Sequence, residues 1–247
     1  MDRALYIAMT GATQTLKAQA VNNHNLANAS TVGFKAELAA HSAVAVDGAQ
    51  LATRVNTRLD GLGFDNRLGS IQQTGNPLDV VLAADHWLAV QAPDGAEGYT
   101  RAGDLRVGAD GLMRTAAGHL VMGEDGPLSV PPHTQISIGG DGTVTVLPQG
   151  QGPEAPAVIG RLRVVRAEPA QLERDGGGLM RLGDGGEELP PAAGQVLSSG
   201  ALESSNVNLA DAMVNMIQLA RSFEMQVKLM RAAEDNAQAS ASVMRMG

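Results

Sequence analysis

The sequence predicts an α+β fold: amino- and carboxy-terminal helices form an α-helical coiled-coil domain, and a central antiparallel all-β domain lies between them in the chain. Three observations carry the prediction. Apolar residues recur at alternating spacings of four and three at both ends, the pattern of a helix with a narrow apolar seam that seeks another helix. The middle holds short runs rich in Val, Ile and Leu, the mark of strands. Asp-Gly pairs punctuate those runs and accept the positive φ that tight hairpin turns require. The boundaries that follow are an amino-terminal helical segment over 1–35, an extended linker over 36–75, the β domain over 76–200 and a carboxy-terminal helical segment over 201–247.

Residues 3–28 carry the first seam, through Leu5, Met9, Ala12, Leu16, Gln19, Asn23 and Leu26. Gly11 weakens this helix by roughly 1 kcal/mol relative to Ala, and its β-branched and Asn residues weaken it further, so alone it is marginal. Asparagine favours caps and turns, so Asn22-Asn23-His24-Asn25-Leu26-Ala27-Asn28 reads either as a set of specific polar contacts or as a fraying helix end. After Gly33-Phe34-Lys35 the helical signal fades into connecting chain with Gly48, Gly61, Gly63 and Gly69.

Strand signals then appear at Leu78–Leu82, Trp87–Val90, Leu105–Val107, Ile136–Ile138 and Thr143–Val146, with turns at Asp94-Gly95, Asp110-Gly111, Asp125-Gly126 and Asp141-Gly142. Residues 158–166 read as one further strand with its arginines solvated, and a short strand lies around Leu179–Leu182 in a Gly-rich run. The carboxy-terminal seam is the clearest element. It runs through Leu209, Met213, Met216, Ala220, Phe223, Val227, Met230, Glu234, Ala237, Ala241 and Met244, apolar everywhere except Glu234. Asn208 is placed to cap its start, and Asp211 sets a carboxylate at the positive end of the helix dipole.

Composition narrows the function. A net charge of −8 with no clustered Lys or Arg argues against an electrostatic nucleic-acid footprint. The absence of cysteine removes disulfides and thiolate metal sites but leaves the compartment open. The first ten residues lack the apolar core of a secretory signal. The histidines, His24, His41, His86, His119 and His133, are scattered singly, with no pair spaced to grip one metal. Ser198-Ser199-Gly200 lacks the strained nucleophile turn, and Glu187-Glu188 in a Gly-rich run reads as a solvated pair. A lone Gly139-Gly140-Asp141-Gly142 is a turn, because a calcium-binding β-roll needs neighbouring repeats. No catalytic residue, metal ligand or cofactor is expected, nor a small-molecule substrate. Two readings remain: a structural subunit whose terminal helices polymerise, or a β-domain binding module or hydrolase whose helices dimerise.

Asn22–Lys35, ending Thr31-Val32-Gly33-Phe34-Lys35, resembles the amino-terminal signature of the bacterial flagellar rod and hook family. Leu202-Glu203-Ser204-Ser205-Asn206-Val207-Asn208, followed by Met216-Ile217, Arg221-Ser222-Phe223-Glu224 and Lys228, is similar to that family's carboxy-terminal signature. Asn76-Pro77-Leu78-Asp79-Val80 and Gly98-Tyr99-Thr100-Arg101-Ala102-Gly103 resemble its β-domain motifs. The opening residues Met1–Tyr6, the length and Trp87-Leu88-Ala89-Val90-Gln91 look most like a proximal rod subunit; the distal rod protein, with paired phenylalanines at the corresponding strand, is the alternative.

The resemblance implies a non-enzymatic, type III-exported subunit of the flagellar basal body that needs no cleavable signal peptide. In the periplasmic rod it would contact copies of itself and other proximal and distal rod proteins, besides the export apparatus. Its helix interface would set Leu5, Met9, Leu16 and Leu26 against Met213, Met216, Phe223, Val227 and Met230, with Asn23 and Asn28 giving polar register. Two departures stand out. Asp85-His86 replaces the family's Asp-Gly, so the turn before Trp87 needs a residue that tolerates positive φ, which histidine permits at some cost, or another turn type. Glu234 interrupts the seam and must find a cation or water.

Overall fold

The computed structural model describes residues 2–45, 55–149, 156–183 and 189–246. Gly48 of the expected linker and the Glu187-Glu188 pair lie outside them. In chain order the elements are α1 (Asp2–Ala27), β1 (Glu37–Ala45), β2 (Val55–Phe64), β3 (Ile71–Gln73), β4 (Val80–Leu82), β5 (His86–Gln91), β6 (Glu97–Thr100), β7 (Leu105–Val107), β8 (Met113–Thr115) and β9 (Leu120–Gly123). They continue with β10 (Gly126–Pro127), β11 (His133–Ile138), β12 (Thr143–Pro148), β13 (Ala157–Arg161), β14 (Val164–Arg166), β15 (Leu172–Arg174), β16 (Met180–Leu182), β17 (Leu197–Ser199), β18 (Ala201–Glu203) and α2 (Leu209–Met246). The chain divides into two units. The first comprises Met1–Ala29, Glu37–Leu62 and Val207–Gly247; the second comprises Ser30–Ala36 and Gly63–Asn206.

In the first unit α1 and α2 pack against each other, and β1 pairs with β2. Asn208 caps α2 as its sequence position predicts, its Oδ1 accepting the Ala210 and Asp211 amides at 3.0 and 3.4 Å. Within the stretch 36–75, expected as an extended linker, the described residues include β1 and β2, which pair with each other, and β3, which pairs with β18. Strand β1 is tied to α1 because Asn25 meets Glu37 at both backbone groups, its Nδ2 donating to the carbonyl at 2.9 Å and its Oδ1 accepting the amide at 2.8 Å. The Leu59 amide of β2 donates to Gln14 Oε1 at 3.2 Å. A single amide side chain reproducing a strand's donor–acceptor pair leaves no periodic signal, so the sequence pattern could not reveal this pairing.

The second unit is antiparallel throughout. Its largest sheet runs β15-β16-β6-β5-β9-β8-β7, with β14 on β5 and β10 on β9; β11-β12-β13 form a second sheet, and β17-β4 and β18-β3 are separate pairs. Strand β5 is covered on both faces, because Leu88 and Val90 enter one apolar cluster while Trp87 and Ala89 enter another. Phe64 meets the Trp87 ring edge-on at 5.5 Å, concentrating scarce aromatics in the second cluster. The four Asp-Gly turns hold Gly95, Gly111, Gly126 and Gly142 at positive φ, as their composition predicts.

Two expectations change here. Residues 158–166 form two strands, β13 and β14, in different sheets, because Leu162 bridges to Gly123 and breaks the run. In the turn before Trp87 it is Asp85 that takes positive φ, at 59°, while His86 already begins β5. Asn66 Nδ2 donates to Asp85 Oδ1 at 2.6 Å and the His86 amide closes the turn on the Ala83 carbonyl at 3.2 Å, so a residue tolerant of the left-handed region does the turning.

Candidate functional site

Two arrangements bear on function, one in each unit. In the first unit, the face that α1 turns inward is built from small residues. Ala12 and Thr15 are buried, and a Cβ on Gly11 would stand 3.1 Å from Gln226 Nε2. Thr15 Oγ1 lies 3.3 Å from Gln226 Oε1, and Asn22 Nδ2 donates to the Ala212 carbonyl at 2.8 Å. Higher numbers on α1 thus meet lower numbers on α2, so the helices run antiparallel. The glycine that weakens α1 by propensity is what admits the glutamine.

On α2 the less exposed positions are Ala212, Met216, Leu219, Ala220, Ser222, Phe223, Gln226, Val227, Met230, Ala233, Ala237 and Ser240, and all of these but Ala220, Ser222 and Val227 fall on one seam. This seam keeps the four-three spacing and shares Met216, Phe223, Met230 and Ala237 with the predicted one. Of the predicted other half Ala220 and Val227 are also partly buried, whereas Met213, Glu234 and Ala241 are exposed and the residue before each is the protected one. A four-three pattern fits either half-register, and the small face of α1 selects Ala212 over the bulkier Met213. Glu234 consequently lies outside the seam: it is exposed, with Gln238 Nε2 at 3.5 Å, and Ala233 and Ala237 take the protected places. The interruption expected from sequence is absent at that position.

Among the expected interface residues, Met216, Phe223, Val227, Met230 and Leu26 are partly buried, whereas Leu5, Met9, Leu16, Asn23 and Met213 are exposed. Asn28 is partly buried, and its Nδ2 donates to the His24 carbonyl at 2.9 Å. The exposed side of α1 carries its own period: besides Leu5 and Lys17, its exposed residues Tyr6, Met9, Thr13, Leu16, Ala20, Asn23 and Ala27 follow a three-four alternation. Helix α1 therefore carries two seams. One is spent on α2, and the other, with Met9 at 48% and Leu16 at 49% exposure, faces outward.

In the second unit the three family-like motifs converge on a buried ionic clasp. Lys35 Nζ lies 2.7 Å from Glu203 Oε1, and Arg101 Nη2 lies 2.6 Å from Glu203 Oε2; the three side chains are 1%, 2% and 0% exposed in the order Lys35, Glu203, Arg101. Every Arg101 N–H finds an acceptor: Nε and Nη2 on Glu203, Nη2 also on the Leu82 carbonyl, and Nη1 on the Ala83 and His86 carbonyls. That set also grips both ends of the Asp85 turn. Lys35 Nζ donates further to the Arg67 carbonyl, and the Gly69 amide to Glu203 Oε1.

The backbone is as closely fitted as the charges. The Gly33 amide donates to the Glu203 carbonyl at 2.8 Å, and Asn206 Oδ1 accepts the Ala36 amide at 2.7 Å. Gly33 has φ of +67°, and a Cβ there would fall 2.3 Å from the Arg101 carbonyl carbon. Burial alone would raise the Glu203 carboxyl, but Arg101 and Lys35 outweigh it and hold its pKa below the ordinary value. Burial pulls Lys35 down, against the attraction of Glu203. Sequence reasoning placed Lys35, Arg101 and Glu203 inside signature motifs without giving them a role. Each stood between small or apolar neighbours, but nothing local pairs residues 168 positions apart.

No group of three or more His, Cys, Asp or Glu able to hold a metal occurs among the described residues, and no helix among them is long and apolar enough to cross a membrane. Paired terminal helices with a spare seam, joined in sequence to a clasped β unit, define a protein that works by packing. Comparison with known proteins makes the class specific. Residues 5–35 match the family described as flagella basal body rod protein, residues 81–146 the flagellar hook protein FlgE/F/G D1 domain, and residues 198–243 the flagellar basal body rod FlgEFG protein C-terminal family.

The flagellar basal-body rod protein FlgF of Salmonella typhimurium strain LT2 is 46% identical over 241 residues, covering 96% of each chain. FlgF of Escherichia coli strain K12 is 45% identical over 245 residues, again 96% of each, whereas the rod protein FlgG of Bacillus subtilis strain 168 is 28% identical over 257 residues. The chain belongs to the flagellar basal-body rod protein family and is a structural subunit of the rod, resembling FlgF more than that FlgG.

Proposed function

We propose that this subunit builds the proximal rod by polymerising through its terminal helices, transmitting torque from motor to hook by packing and catalysing no reaction. The observation that carries this reading is the second seam of α1, Tyr6 to Ala27, left outward after α2 has taken the first. Met213, Val214, Ile217, Met225 and Leu229 add exposed apolar surface on α2. Copies of this chain and other proximal and distal rod proteins supply the partner helices, with Leu5, Met9, Leu16 and Met213 at the contact and Asn23 setting register. A helical polymer repeats one heterologous contact at every step, so many modest interfaces sum to a stiff shaft. The subunit reaches the periplasm through the flagellar export apparatus, for which marginal helices and the lack of cysteine suit it.

Leu16→Asp tests the reading because Leu16 points away from α2. The expected result is basal bodies lacking a complete rod, non-motile cells and a β unit that still folds; normal motility in that mutant sinks it. Phe223→Asp, on the inward seam, is expected to block assembly by a different route, by splitting the helix pair itself.

A further inference from the structure

We propose that Glu203 is a latch that closes the second unit last: Lys35 and Arg101 frame a place that stays open until the carboxy-terminal end of that unit arrives to fill it. Lys35 and Arg101 are both buried beside the same carboxylate, and Glu203 is the anion that pairs with each. Two cations brought out of water with no anion between them are strongly unfavourable, so without Glu203 they remain solvated and the ends of the unit stay apart. The sheet pairings wait on the same stretch. Strand β4 pairs with β17 and β3 with β18, so two early strands have their sheet partners among residues 197–203.

Other pairings of the unit lie wholly before that stretch. Ala89 donates to the Arg163 carbonyl, Met113 to Leu128 and Leu128 to Val121, all inside the span between the early strands and β17. A chain that emerges amino end first can form these contacts while the clasp is still lacking its anion. Loop-closure cost points the same way, since joining Lys35 to Glu203 spans 168 positions unless the central sheets have already shortened the path.

The test is pulse-labelled hydrogen exchange during refolding of the full chain. The amides of Gly33, Ala83, Gly200 and Ser204, bonded to Glu203, Val196, Asp79 and Ser70 carbonyls, are expected to gain protection after those of Ala89, Met113 and Leu128. Simultaneous or earlier protection overturns the proposal. Full-length Glu203→Gln gives an independent readout. Because the latch forms after the main barrier, unfolding should accelerate about a hundredfold or more with the refolding rate nearly unchanged. Refolding slowed in proportion to the lost stability would show that the clasp belongs to the nucleus and would overturn the latch.

Discussion

The two units bury their apolar residues in opposite ways. In the β unit Val80, Leu88, Met113 and Val144 are fully enclosed by their own chain. In the helical unit residues of the same chemistry stand outside: Leu229 is 62% exposed, and Tyr6, Met9, Leu16, Met225 and Met244 are exposed with it. A unit that hides its apolar surface is complete in itself, whereas one that displays it in periodic order leaves an apolar face uncovered by its own chain. The polar groups repeat the contrast. The β unit locks Lys35, Arg101 and Glu203 into a clasp with bonds throughout, and the helical unit spends Asn22, Asn25 and Gln226 on a few bridges between weakly held elements.

The largest expected effect is on the clasp. Glu203→Gln leaves two buried cations without an anion and should cost the β unit about 3–5 kcal/mol in urea unfolding. Next, Leu88→Ala should cost about 2–5 kcal/mol by opening a cavity in the enclosed core, while Leu16→Ala in the dilute subunit should stay within about 0.5 kcal/mol. Equal losses at the two leucines would erase the contrast between the units.

Lys35→Met removes one cation and leaves a charge-balanced Arg101–Glu203 pair, so its cost should fall below that of Glu203→Gln, at about 1 kcal/mol or less. The smallest effect concerns pH. The Glu203 carboxyl sits below its ordinary value of 4.5 in the folded unit, so its stabilisation is fully present above that value and is lost as pH falls through the lowered one. Lys35, also lowered, binds its proton less tightly folded than unfolded, so raising pH toward 10.5 weakens nothing through this group. The acid limb of the wild-type stability curve should therefore be steeper than that of Glu203→Gln, and identical slopes would remove Glu203 from it.

Much of this contrast was legible in the sequence, for reasons that are local. Heptad spacing located α2 from Leu209 to Met246, Asn208 marked its cap, and the Asp-Gly pairs fixed four turns because positive φ is a property of single residues. The seam facing α1 was only half legible. Met216 and Phe223 fit either register, and the choice of Ala212 and Gln226 depends on Gly11 and Thr15 some two hundred residues away. The pairing of β1 with β2 escaped because these strands are tied to α1 by amide side chains, Asn25 and Gln14, which leave no periodic signal. The clasp escaped entirely as chemistry: a lysine, an arginine and a glutamate at 35, 101 and 203 are ordinary surface residues until a fold brings them together.

Native-state hydrogen exchange on the dilute full-length subunit tests most directly whether one unit is complete and the other waits for neighbours. The α1 and α2 amides should exchange through local openings of about 0–2 kcal/mol, while Ala89, Met113 and Leu128 in the β unit exchange only near its global unfolding. Helical amides protected as strongly as those of the β unit would contradict it, because the helices would then be stable without any partner subunit.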